Sequence, residues 1–117
     1  METQLDSILR DILQRPGMYI GEPSVIRLRS FLDGYVHALC EATADKSSVL
    51  KLQAFRDWIY NKYSITESLG WEQVLINATG SDRRAFAICV QLWIEFGREH
   101  ERAANKAVNP SGGSGVF

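Results

Sequence analysis

The chain has 117 residues, 45% of them hydrophobic and 10% aromatic, which suits one compact core and leaves no room for two domains. Thirteen Lys and Arg against fourteen Asp and Glu give a formal charge of −1, so no broad positive field exists to collect phosphate backbones, and no nucleic-acid partner is expected. No window approaches the roughly 18 uninterrupted apolar residues of a membrane span, and the polar, acidic start differs from a secretory signal, which predicts a cytoplasmic protein with no membrane partner.

Leu5, Ile8, Leu9, Ile12 and Leu13 recur at helical spacing and predict an amphipathic helix over residues 3–14, ended by Pro16-Gly17. The next stretch, Arg15 to Pro23, sets two glycines and two prolines around Met18, Tyr19 and Ile20. That composition predicts an ordered connector with those three side chains tucked inward. Ser24 is a candidate N-cap for a second helix reaching Ala42, with Leu28, Phe31, Leu32, Tyr35, Leu39 and Cys40 as its apolar stripe. Gly34 inside it points to a neighbouring helix crossing closely, since glycine otherwise weakens a helix by about 1 kcal/mol.

After a break at residues 44–47, Ser48 is read as the cap of a third helix that buries Leu52, Phe55, Trp58, Ile59 and Tyr63. Gln53, Arg56, Asp57 and Tyr60 fall on its wetter arc, with Tyr60 as an exposed aromatic. Trp71, Val74, Leu75 and Ala78 predict a short fourth helix closed by Gly80. Ser81 or Asp82 caps a fifth, whose broad face of Phe86, Cys89, Val90, Leu92, Trp93 and Phe96 places it at the centre. The fold expected is an all-α, single-domain bundle of about five helices with short connectors, covering residues 1–102, followed by a flexible C-terminal tail over 103–117.

The residues that carry chemistry are sparse. His37 stands four residues after Asp33 and can share a helix face with it, as a base and its orienting carboxylate do, but Ser30 has no nucleophile elbow around it. Arg27, Ser30, Asp33, His37 and Glu41 also read together as one solvated helix face. Cys40 and Cys89 belong to no Cys-x-x-Cys pair and read as small core hydrophobes, and no His-x-x-x-His spacing occurs. Gly17 and Gly21 lack the Gly-Lys-Ser/Thr and the preceding strand of a phosphate loop. No catalytic residues, cofactor or metal are therefore expected, and the chain is read as a non-enzyme.

The segment Arg15-Pro16-Gly17-Met18-Tyr19-Ile20-Gly21 resembles a stretch near the start of the ATPase domain of DNA gyrase B subunits. In that family the following helix carries a catalytic Glu and a magnesium-holding Asn, and those places fall here on Tyr35 and Leu39, which can do neither task. A longer order of residues includes the same segment, then Leu28, Phe31, Leu32, Gly34 and Tyr35, then Phe55 with Trp58, Gly70-Trp71, and a closing helix from Phe86 to Phe96. That order is similar to small bacterial proteins encoded beside secreted polymorphic toxins and read as their immunity proteins. The resemblance implies a protein that neutralises a cognate toxin domain by stoichiometric binding and occlusion of its active site.

An inhibitor needs only a rigid surface, and interface energy concentrates in a few aromatic and charged anchors. The candidates for partner contact are Glu22, Asp33, His37, Arg56, Asp57 and Tyr60. Met18, Tyr19 and Ile20 are read as buried supports. The alternative function is a non-catalytic helical adaptor or scaffold module, as a monomer or a dimer.

Overall fold

A computed structural model describes residues 2–108, with side chains through residue 103. These residues form α1 (Gln4–Gln14), α2 (Pro16–Tyr19), α3 (Val25–Ala42), α4 (Ser47–Lys62), α5 (Trp71–Thr79) and α6 (Asp82–Val108). The five expected helices are present, and the connector adds a sixth of one turn, α2, which starts on Pro16 as the fixed φ of proline favours. The boundary expected at residue 102 falls inside α6: residues 103–108 are its last turns, and the rest of the expected tail lies outside the described residues.

The starts of α1, α3 and α6 are capped by side chains close by in sequence. Thr3 and Asp6 form a reciprocal box, in which Thr3 Oγ1 accepts the Asp6 N–H at 3.1 Å and the Asp6 carboxylate accepts the Thr3 N–H at 2.8 Å. Ser24 Oγ accepts the Arg27 N–H at 3.1 Å, as its position predicts. The same helix start has a second, remote cap: Asp82 Oδ1, from the first turn of α6, accepts the Val25 N–H at 2.7 Å and the Ile26 N–H at 3.2 Å. Ser81 Oγ accepts the Arg84 N–H at 3.1 Å, so Ser81 is the cap of α6. Gly80, at φ +97°, closes α5 in the left-handed conformation expected there.

Ser48 does not cap α4. Its side chain is buried and its Oγ accepts the Leu5 N–H at 3.1 Å, satisfying a donor that the start of α1 leaves open. Ser48, Lys51, Phe55, Trp58 and Lys62 recur every three or four residues, and this ridge of α4 holds α1 and α6. Lys51 Nζ meets both Asp6 carboxylate oxygens at 2.8 Å and lies over the Trp93 ring. Trp58 Nε1 donates to Glu99 at 3.0 Å, and Lys62 pairs with Glu95 at 3.0 Å.

Phe55 is the hub of the core. Only 1% exposed, it meets the rings of Trp93, Phe96 and Trp71 edge-on at centroid separations of 5.0, 5.3 and 5.7 Å, and lies near-parallel to Trp58 at 6.2 Å. Such edge-to-face pairs add about 0.5–1.5 kcal/mol beyond area burial. Leu5, Leu9 and Ile12 of α1, Leu28, Leu32 and Val36 of α3, and Cys89 and Leu92 of α6 complete the core. α6 packs on α3, α4 and α5, which gives it the central place its broad apolar face predicts. Gly34 does not mark a close crossing: a Cβ there would meet nothing within 4 Å.

Replacing Phe55 with Ala removes one ring from four aromatic contacts and leaves a cavity where α4, α5 and α6 meet. The expected cost is about 3–5 kcal/mol in urea unfolding, against less than about 1.5 kcal/mol for the volume-matched Leu52→Met. Similar losses for the two variants would show that Phe55 is not the hub.

Candidate functional site

Exposed large apolar side chains are the features a folded core does not account for, and here they form two sets. Met18 (71% exposed), Tyr19 (37%) and Ile26 (50%) lie at the N-terminal end of α3 and on the one-turn α2 before it. Leu50 (60%) and Ile94 (50%) line a groove between α1 and α6.

The first set corrects the expectation that Met18 and Tyr19 point inward: of the three residues, only Ile20 is buried. The reason lies in the backbone. One turn of helix after Pro16 cannot bury three successive side chains on one face, and Ile20 takes the inward direction. Around it the chain is held firmly. Ile20 N–H bonds to the Pro16 carbonyl at 2.8 Å, and the Arg27 guanidinium donates from Nη1 to the Ile20 carbonyl at 3.0 Å. Gly21 takes φ +88°, and a Cβ there would strike that same guanidinium, so the turn requires glycine. Glu22 is exposed and pairs with Arg27 at 3.2 Å, giving the apolar set a charged neighbour.

The polar candidates divide. Asp33, His37 and Arg56 come together around a pocket of about 330 Å³ between α3 and α4, beside Arg29, Cys40 and Trp71. Asp33 accepts from Arg29 Nε at 3.2 Å, and Arg29 Nη1 donates to Glu72 at 2.8 Å. Burial acts against the Arg29 charge, but Glu72 and Asp33 outweigh it and raise its pKa. This ion pair passes directly over Gly70, where a Cβ would meet both groups and displace them, so glycine at the start of α5 leaves the pair room. Asp33 and His37 share a helix face as expected, with no hydrogen bond between them among the described residues.

Asp57 pairs with Arg56 at 3.2 Å on the exposed arc of α4. Tyr60 is not the exposed aromatic expected. It is half-buried, and its hydroxyl donates to the Leu69 carbonyl, latching the 63–70 loop to α4. Its aromatic ring is therefore used internally. Among the described residues no group of three or more His, Cys, Asp or Glu is placed to hold a metal, and no helix is long and apolar enough to cross a membrane.

The groove of the second set measures about 950 Å³. α1 and α6 both pack on α4 and leave the space between themselves open, with Leu13, Leu50, Val90, Trp93 and Ile94 as apolar lining. The Asp6–Lys51 pair lies at its base, with side chains 17% and 13% exposed. Burial alone would raise the Asp6 pKa, but the Lys51 ammonium together with the Thr3 N–H and hydroxyl overcomes it and holds the carboxyl below its usual value.

The sequence carried a signal for both sets that a stripe analysis passes over. Ile26, Leu50 and Ile94 are apolar residues that fit no core stripe of their helix. No protein-family model matches this chain, and comparison with curated proteins and with solved structures likewise yields no match.

Two measurements check this geometry. Because the Asp6 pKa is lower folded than unfolded, its contribution to stability is complete above the ordinary carboxylate range near 3.9 and is lost as pH falls through the lowered value. Asp6→Asn is expected to cost about 1–3 kcal/mol at pH 7, with the gap to the parent closing in acid; a gap independent of pH would contradict the pairing.

Cys89 is 1% exposed and burial pushes its thiol up to about 12, whereas Cys40 is half-buried at the pocket wall. A thiol reagent is expected to modify Cys40 in the native protein and Cys89 only after unfolding, as peptide mapping would show. Equal labelling of both would overturn the burial assigned to Cys89.

Proposed function

We propose that this chain is an immunity-type inhibitor that neutralises a toxin domain by binding it one to one. The observation that carries the reading is the rigid display of Met18, Tyr19 and Ile26 beside the Glu22–Arg27 pair. Interfaces concentrate their energy in a few well-placed apolar and aromatic anchors inside a polar rim, and an anchor already held in place loses less freedom on binding. The resemblance of the Arg15–Gly21 segment and of the order Phe55, Trp58, Gly70, Trp71 to immunity proteins supports the same role. Met18 and Tyr19 belong to that segment, so the exposed anchor and the family resemblance coincide in sequence.

The polar pocket on α3 and α4 supplies the second part of the surface, with Asp33, His37 and Arg56 as groups able to meet charged or hydrogen-bonding side chains of the partner. The active site of the toxin is blocked by the bulk of a stable helical body, without chemistry on the inhibitor's side.

The test is co-production of this chain with the product of the adjacent gene. Rescue of growth and a one-to-one complex are expected. The double variant Met18→Asp with Ile26→Glu should weaken the complex by a hundredfold or more while its own unfolding stability stays within about 0.5 kcal/mol of the parent. Absence of both rescue and complex would end the inhibitor reading, and a complex in which the partner stays active would favour the adaptor.

A further inference from the structure

We infer that the groove between α1 and α6 is closed by a second copy of this chain, with α6 packed antiparallel against α6 about a two-fold axis level with Glu99. The anchor residues of the inhibitor reading, Met18, Tyr19 and Ile26, take no part, so the two proposals stand independently.

The first observation is the length of α6. Among the described residues its last buried core residue is Phe96; residues 98–103 beyond it are exposed, and the helix itself continues to Val108. Residues 98–103 of α6 therefore carry surface that no other described residue buries. The second observation is the groove beside it, in which Leu50 and Ile94 stay 60% and 50% exposed above Trp93 and Val90. One feature supplies an element without a seat, and the other a seat without an element.

The spacing makes the two fit each other. Val90, Ile94, Gly97 and Glu101 line the groove side of α6 and are separated by four, three and four residues, the spacing of a helix–helix seam. In the sequence the same alternation continues to positions 104 and 108. Antiparallel pairing with Gly97 opposite position 101 of the second copy sets Ile94 opposite position 104 and Val90 opposite position 108. Each contact then recurs in reverse across the axis, which is the condition for a closed, isologous dimer. Gly97 leaves room for the approach: a Cβ there would meet nothing within 4 Å.

Charge selects this occupant. Arg98 and Glu101 stand one turn apart on the groove wall, and neither is in an ion pair among the described residues. In the antiparallel register each Arg98 lies beside Glu101 of the second copy, so one helix offers both halves of two reciprocal pairs. The final turns of one α6 then cover Leu50 and Ile94 of the other.

The experiment is sedimentation equilibrium of the full chain from low micromolar to millimolar concentration, with far-UV circular dichroism to confirm that each variant is folded. A monomer–dimer equilibrium is expected. Gly97→Phe, at an open position, should abolish the dimer without changing the fold. Arg98→Glu and Glu101→Arg should each weaken association tenfold or more, and the double exchange Arg98→Glu with Glu101→Arg should restore it. A monomer at every concentration overturns the inference. So does a dimer indifferent to these variants, or one that the double exchange fails to restore, because the two copies would then meet elsewhere or in another register.

Discussion

The fold depends on what α4 can hold on one ridge. Ser48, Lys51, Phe55, Trp58 and Lys62 follow one another at three- and four-residue steps, and between them they contact α1, α5 and α6. Ser48 satisfies the backbone of α1, Lys51 binds α1 and lies over Trp93, and Phe55 gathers the rings of α5 and α6. The polar members tie helices by hydrogen bonds and charge, while Phe55 supplies the apolar burial. Burying Lys51 is tolerable only because Asp6 accepts it at both oxygens, since an unpaired ammonium at that depth would cost several kcal/mol. The groove beside this pair follows directly: α1 and α6 are both fastened to α4 and have no comparable bond to each other.

The connectors are fastened by the same means, side chains reaching backbone groups that helix ends leave open. Asp82 caps α3 from the start of α6, Arg27 holds the Ile20 carbonyl, and Tyr60 holds the Leu69 carbonyl. The Arg29–Glu72 pair joins α3 to α5 across Gly70. None of these needs a large apolar area. A small domain gains order in its turns this way without spending hydrophobic residues there, and Met18 and Tyr19 can stay on the outside of a turn that is nonetheless well held.

Helical periodicity made much of this legible. The α1 stripe, the Ser24 cap, the Gly80 stop and the central α6 all follow from spacing and cap chemistry, which are local properties. Two of the failures share a cause, namely partners distant in sequence. Ser48 has the right residue type for a cap, but its acceptor is claimed by Leu5, and Tyr60 falls on a polar arc that the 63–70 loop then covers. Gly34 suggested a crossing where the structure leaves open space. Nothing local in the sequence announces that Asp6 and Trp93 will close over Lys51.

The candidate site was legible in its polar half and missed in its apolar half. Asp33, His37 and Arg56 do converge on one pocket, since helical spacing and an adjacent helix suffice to bring them together. Met18 was misread because apolar character was taken as burial, although a large fraction of any folded surface is apolar. The sharper criterion is position relative to the stripe: Leu52, Phe55 and Ile59 of α4 are buried and in phase, whereas Leu50 is out of phase and exposed. An out-of-phase apolar residue adds little to the core of its own chain, so changing it barely alters folding stability while it alters any surface that covers it. Folding stability and exposed apolar surface therefore fall on separate residues, and the stripe itself draws the line between them.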